Sequence, residues 1–392
     1  LYAILGFLNS KLVTPLLRIT NPTMVTQVGD LKLLPIAFDE SHDKFQILSE
    51  TSKKLISLYK ILWDKNEISW DYSTSWISNE NNLSNAFNNH IENIKEILNQ
   101  IILNENILNE SLIDIYNLNE DYNSKITYSD ITISSNEILL KETSIEVNIK
   151  EVLIGLISYI IGNLFGRYSI DKPGLILSNQ GEDLRDYQKL IPGSKFLPDE
   201  DNIIPVLDGE WFNDDIVGSF KYFLKVALSE EYFEFNLKYI EEILDKEIRK
   251  YFVKDFYGDH IKRYKKRPIY WMFSSPKGHF KALIYIHRYQ PDLCSKMLND
   301  YLQPFISKLE AAKQTNTLLS LREDVTSREK ALALKEVDRL ELMIRDCKDY
   351  ERTLFTIATQ KITIDLDDGV KVNYLKFKEV LVPIKGLEKE ED

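Results

Sequence analysis

From Lys308 to Asp349 the chain is rich in Glu, Lys, Arg, Leu and Ala and contains neither Pro nor Gly. A stretch of that kind folds as helix, and its length predicts a helical hairpin or a short coiled coil. A second constraint comes from Leu83, Phe87, Ile91, Ile94, Leu98 and Ile101, which recur every three or four positions and define a helix with one apolar stripe. A mainly helical protein is therefore expected. At 392 residues the chain is long enough for two or three domains, and with 44% hydrophobic and 28% charged residues it reads as folded and water-soluble, excluding disordered and fibrous classes. Cys294 and Cys347 have no CxxC partner, which excludes a disulfide framework and a thiolate zinc site and points to a reducing cytoplasm.

The expected fold is α+β and mainly helical: a helical spacer, then a mixed α/β domain with a basic β-hairpin, then a C-terminal helical hairpin. Residues 1–40 read as helix, turn and short strand, and 41–170 as the spacer. The apolar helix between Glu146 and Tyr168 ends at Gly162 and Gly166, and Lys172-Pro173-Gly174 marks a boundary. In the mixed domain, 171–300, Leu175 to Leu177 and Ile203 to Leu207 are strand-like, and helices run through Phe220–Leu228 and Phe233–Ile248. Ile269 to Phe273 and Phe280 to His287 then form a hairpin with a projecting loop, Ser274 to His279. The last part, 301–392, adds a short β segment between Ile362 and Ile384 and a charged, frayed tail from Glu388 to Asp392. The longest apolar run, Val152 to Phe165, falls short of the roughly 20 residues that cross a bilayer, so no membrane partner is expected. The chain opens at Leu1 inside an apolar stretch without an initiator Met, which predicts a piece of a longer polypeptide rather than a signal peptide.

The sequence lacks GxxxxGKS/T, GxGxxG, HExxH and GxSxG, so the usual grounds for a nucleotidase, dehydrogenase, zinc enzyme or serine hydrolase are missing. No catalytic, cofactor or metal residue is assigned. The run Asp365, Asp367, Asp368, Gly369 resembles a calcium loop only superficially and reads as a turn. His260, His279 and His287 match no metal spacing and read as surface or hydrogen-bonding side chains. Trp63, Trp70 and Trp76, near Tyr59 and Tyr72, are able to stack bases, but a core cluster is the preferred reading.

One segment carries a functional argument. A net charge of -12 opposes indiscriminate coating of nucleic acid, yet Gly258 to Gln290 holds Lys262, Arg263, Lys265, Lys266, Arg267, Lys277, Lys281 and Arg288, eight cations against the single anion Asp259, a local +7. Tyr264, Tyr270, Trp271, Phe273, Phe280, Tyr285 and Tyr289 are interleaved. A basic hairpin is narrow enough to lie in a major groove, with Lys262 to Arg267 on phosphates and Ser274, Ser275, Lys277 or His279 at base edges. Lys281 and Arg288 complete that expected DNA-binding set, in which Arg267, Lys277 and Lys281 lead. The alternative is that the aromatics fill a core while the cations form a solvated face or pair with the acidic stretch Asp199 to Asp215.

Several stretches carry a family likeness. Leu197-Pro198-Asp199-Glu200-Asp201-Asn202-Ile203-Ile204-Pro205-Val206, Phe212-Asn213-Asp214-Asp215-Ile216-Val217, Arg267-Pro268-Ile269-Tyr270-Trp271-Met272-Phe273-Ser274-Ser275 and Asp365-Leu366-Asp367-Asp368-Gly369-Val370 resemble the C-terminal half of the PglX family, the adenine-specific DNA methyltransferases of BREX phage defence. Gly6-Phe7-Leu8-Asn9-Ser10-Lys11, Gln27-Val28-Gly29-Asp30, Trp70 to Trp76 and Phe165-Gly166-Arg167-Tyr168-Ser169 extend the likeness to nearly the whole chain. The resemblance implies N6-adenine methylation of double-stranded DNA by S-adenosylmethionine in the full-length protein, through an Asn-Pro-Pro-Tyr loop that holds the flipped base. Asn21-Pro22-Thr23 is no substitute for that loop. What it implies for this chain is a target-recognition and scaffold region, with residues 1–40 adjoining the methyltransferase core. The implied partners are double-stranded DNA, the N-terminal methyltransferase domain of the same polypeptide and other BREX proteins. A protein-interaction module, with the 308–349 helices and the acidic surface as interface, is the competing reading.

Overall fold

The computed structural model describes residues 1–23, 25–72, 77, 81–119, 123–133 and 135–387. Two units emerge, one of residues 1–76 and 84–152, the other of residues 77–83 and 153–392. Lys172-Pro173-Gly174 lies inside the second unit.

The first unit contains helices α1 (Tyr2–Leu8), α2 (Val13–Thr20), α3 (Val28–Lys32), α4 (Phe45–Trp63) and most of α5 (Leu83–Ile115). The expected stripe on α5 is realised: Ile94, Leu98 and Ile101 are buried against Leu48 and Leu55 of α4 and Phe7 of α1. Residues 28–32 form a helix where a short strand was expected. The Asp30 carboxylate accepts the Gln27 amide at 2.8 Å and the Asn21 side-chain amide at 2.6 Å, closing a helical first turn. A two-stranded hairpin, β1 (Ile138–Leu140) and β2 (Ile145–Val147), pairs Ile138 with Val147 and was not legible in the sequence.

Helix α6 (Ile149–Leu164) is the apolar helix anticipated near residues 146–168. It ends where Gly166 takes φ +78°, a left-handed conformation that suits glycine. In the second unit the strand-like run at Leu175 has no strand partner among the described residues. Ile176 and Leu177 instead donate to the carbonyls of Arg167 and Gly166, so the run is an extended loop. Helices α7 (Leu184–Leu190), α8 (Ile216–Leu228), α9 (Phe233–Leu244), α10 (Ile248–Lys254) and α11 (Phe256–Arg263) lead into a three-stranded antiparallel sheet. Asp245, left-handed at φ +55°, separates α9 from α10 and divides the helix expected through Phe233–Ile248.

The sheet has the order β3 (Ile204–Pro205), β5 (Lys281–Tyr285), β4 (Tyr270–Ser274), with Tyr270 opposite Tyr285 and Ser274 opposite Lys281. The β4–β5 hairpin is thus present, but it is not a free ribbon. Trp271, Phe273, Phe280, Ala282 and Ile284 face a core built with Met297, Phe305 and Leu309 and with Leu340, Met343, Cys347, Tyr350 and Leu354. Tyr270 and Tyr285 bury the opposite face against Phe165, whose ring lies 5.4 Å from that of Tyr270. The outer edge of β4 is closed as well: the Ser274 amide donates to Val380 and the Val382 amide to Met272. The hairpin is therefore an internal element, and the idea of its strands entering a DNA groove is set aside.

Helix α12 (Leu293–Lys296) and a wide helical turn lead into α13 (Gln303–Leu321) and α14 (Ser327–Gln360), which pair as the expected helical hairpin. Between Ile362 and Ile384 a 3-10 turn precedes helix α15 (Gly369–Leu375), and the β character expected there shrinks to one bridge, Leu381 to Phe273. The Asp-rich run is that turn. Asp365 accepts the Asp367 amide, and the Asn373 side chain ties Gly369 into the first turn of α15. The tail 388–392 lies outside the described residues. Among the described residues no helix is long and apolar enough to cross a membrane.

Candidate nucleic-acid interface

The basic segment starts on α11, which is pinned by His260. Its buried Nε2 accepts the Tyr270 amide at 3.1 Å, joining the helix to β4. Burial, with Arg263 and Arg167 nearby, drives this imidazole down to about 3, so it stays neutral. The chain then turns within four residues. Lys265 and Lys266 both adopt left-handed backbone, at φ +50° and +64°, while the Lys265, Lys266 and Arg267 amides donate to Lys262, Ile261 and Tyr264. Such a conformation costs a non-glycine residue about 1–2 kcal/mol, and a held pair of them marks a turn whose shape matters. Lys262, Lys265, Lys266 and Arg267 are exposed and Arg263 is half-buried. Among the described residues, Lys265, Lys266 and Arg267 have no ion-pair partner, and no carboxylate caps them.

The hairpin tip is occupied differently. Asp346, buried on α14, accepts the Ser275 hydroxyl at 2.6 Å, the Lys277 amide at 3.0 Å and His279 Nδ1 at 3.0 Å. Ser275 Oγ in turn accepts the Phe280 amide, so its hydrogen-bonding capacity is spent inside the fold. Ser274 is half-buried and donates to the Ser275 carbonyl. Only Lys277 extends a charged group from the tip into solvent. The loop therefore seats on α14 instead of projecting, and Ser275 and His279 have internal partners where base edges were expected.

Lys281 and Arg288 also point inward. Lys281 donates at 2.8 Å to the Val253 carbonyl in the last turn of α10, and burial lowers its pKa. Arg288 is buried, with hydrogen bonds to the carbonyls of Phe165, Asp199 and Glu200 at 3.2, 2.9 and 3.0 Å. The internal-pairing alternative thus holds for Arg288, through backbone oxygens of the acidic stretch. Asp215 of that stretch pairs with Arg249 at 2.7 Å. Eight cations close in sequence therefore divide into a basic turn at 262–267, exposed except for half-buried Arg263, a single exposed lysine at the tip, and two inward fasteners, half-buried Lys281 and buried Arg288. A five-residue strand, about 16 Å long, separates turn from tip.

Three outcomes concern residues the sequence treated differently. Trp63 and Trp70 are not core: they are 42% and 93% exposed, while Tyr72 is buried and Trp76 lies outside the described residues. Arg167 was unassigned and is buried, donating to the Tyr168 and Tyr285 hydroxyls at 3.0 Å. Asp346 was missed although it left a trace, being a charged residue on the apolar stripe Met343, Cys347, Tyr350, Leu354 of α14.

No family model matches the chain. Two curated adenine-specific methyltransferases, however, align with nearly all of it. One is BrxX of Escherichia coli O9:H4 (strain HS), 30% identical over 99% of this chain and 33% of its own length. The other is PglX of Lacticaseibacillus casei (strain Zhang), 31% identical over 97% of this chain and 32% of its own length. The PglX likeness read from the motif stretches is therefore real and spans the chain, and the chain spans about a third of the length of these curated relatives.

Proposed function

We propose that this chain is the C-terminal DNA target-recognition and scaffold region of a PglX-like N6-adenine DNA methyltransferase in BREX phage defence. Methyl transfer, and the S-adenosylmethionine it consumes, belong on this reading to the N-terminal methyltransferase domain of the same polypeptide, acting on double-stranded DNA in the cytoplasm. The observation that carries the reading is the turn Lys265-Lys266-Arg267: three exposed cations without ion-pair partners among the described residues, on a corner with two left-handed backbone positions, in a chain of net charge -12. Phosphate contacts of this kind set register and orientation on a duplex. Lys262 flanks the turn, and Lys277 supplies a second point of attachment at the far end of β4.

Binding to duplex DNA across a salt series tests this. Changing Lys265, Lys266 and Arg267 together to Ala is expected to weaken binding and to reduce the slope of log affinity against log salt by up to about three. Equal binding by wild type and triple variant overturns the role of the turn.

A second reading, a protein-interaction module that docks the methyltransferase to other defence components, is favoured by one observation. Leu318 and Leu321 on α13 and Leu332 on α14 are exposed on the helical hairpin, Leu321 by 73%.

A further inference from the structure

In the first unit, the second half of α4, Ile94 of α5 and residues 132, 133, 135, 137 and 138 enclose a half-open cavity of about 580 Å³. Small-molecule sites are of this size. Two kinds of wall meet there. Tyr59 and Trp63 stand one helical turn apart on α4, so their rings share a face, and the Trp63 indole is open to solvent. Opposite in chemistry is Lys65, half-buried and with no ion pair among the described residues, so that burial lowers its pKa against the opposing pull of Glu137. Lys60, by contrast, is already held by Asp64 at 3.4 Å and Asp71 at 2.7 Å. A partly desolvated ammonium without an ion pair is unfavourable by itself and becomes favourable when an anion arrives beside it, while the exposed Trp63 ring gains by being covered.

We propose that this cavity binds a nucleotide, its base stacked on Trp63 and Tyr59 and its phosphate at Lys65. The same chemistry has two sources, a free nucleotide or an unstacked residue of a single strand. The site does not depend on the basic turn.

Calorimetry on the whole chain separates the possibilities, with deoxyadenosine 5′-monophosphate and a short single-stranded oligodeoxyadenylate as probes. Binding of either is expected, weakened about 10-fold by Trp63→Ala and by Lys65→Met, and largely retained by Trp63→Phe, which keeps a stacking face. Tighter binding of the oligomer than of the mononucleotide assigns the site to a strand, and the reverse assigns it to a free nucleotide. No binding of either probe, unchanged affinity in both weakening variants, or loss of mononucleotide binding in the Lys265, Lys266, Arg267 triple variant overturns the proposal.

Discussion

At the scale of single residues, the acidic stretch shows how burial turns a carboxylate into a proton store. Asp199 is pushed up to about 8, first by burial and then by the charge of Asp201, against the opposing pull of Arg288. The Tyr301 hydroxyl lies 2.8 Å from Asp201 and 2.7 Å from Asp214, and one phenolic proton cannot serve both carboxylates. Because the folded value of Asp199 exceeds the ordinary carboxylate value near 4, its contribution to stability is complete below that value and is lost as pH rises through about 8. Wild-type protein is therefore expected to lose a few kcal/mol between pH 5 and pH 9 in urea unfolding, and Asp199→Asn to lose much less. Parallel losses in the two proteins would remove Asp199 as the cause.

Elements show which parts of the molecule were legible in sequence. The paired helices α13 and α14, the stripe of α5 and the β4–β5 hairpin all follow from local periodicity, because each buries a face whose spacing is written in consecutive residues. Long-range partners were not visible. Val380 to Val382 edge the sheet because β4 left backbone groups unpaired on that side, and the amides of Ile176 and Leu177 are taken up by the carbonyls of Arg167 and Gly166 just past α6. The basic cluster shows the same limit. Charge density was readable, but whether a cation faces water or a carbonyl depends on chain far away, such as Phe165 for Arg288 and Val253 for Lys281. For the helical hairpin, replacing Leu318, Leu321 and Leu332 by Glu is expected to leave unfolding within about 1 kcal/mol of wild type, since these side chains are exposed. Duplex binding should not weaken by more than a few-fold. A large loss of stability would place these leucines in a packed interface of the chain itself, against the docking reading.

For the molecule as a whole, a chain of net charge -12 carries at Lys265, Lys266 and Arg267 a run of three exposed cations with no ion-pair partner among the described residues. That arrangement suits attachment at a chosen spot and disfavours coating. On the proposed function it also separates holding DNA from modifying it. With labelled S-adenosylmethionine and duplex DNA, this chain by itself is expected to transfer methyl groups at no more than the rate of a blank, and clear transfer would refute the assignment of the reaction to another part of the polypeptide.

One buried carboxylate has a mechanical meaning. Asp346 belongs to the longest helix described and also closes the tip of the β4–β5 loop. Any shift of α14 against the sheet must either carry that tip along or break the hydrogen bonds that Ser275, Lys277 and His279 make to Asp346, so the helix and the loop are bound to move as one piece.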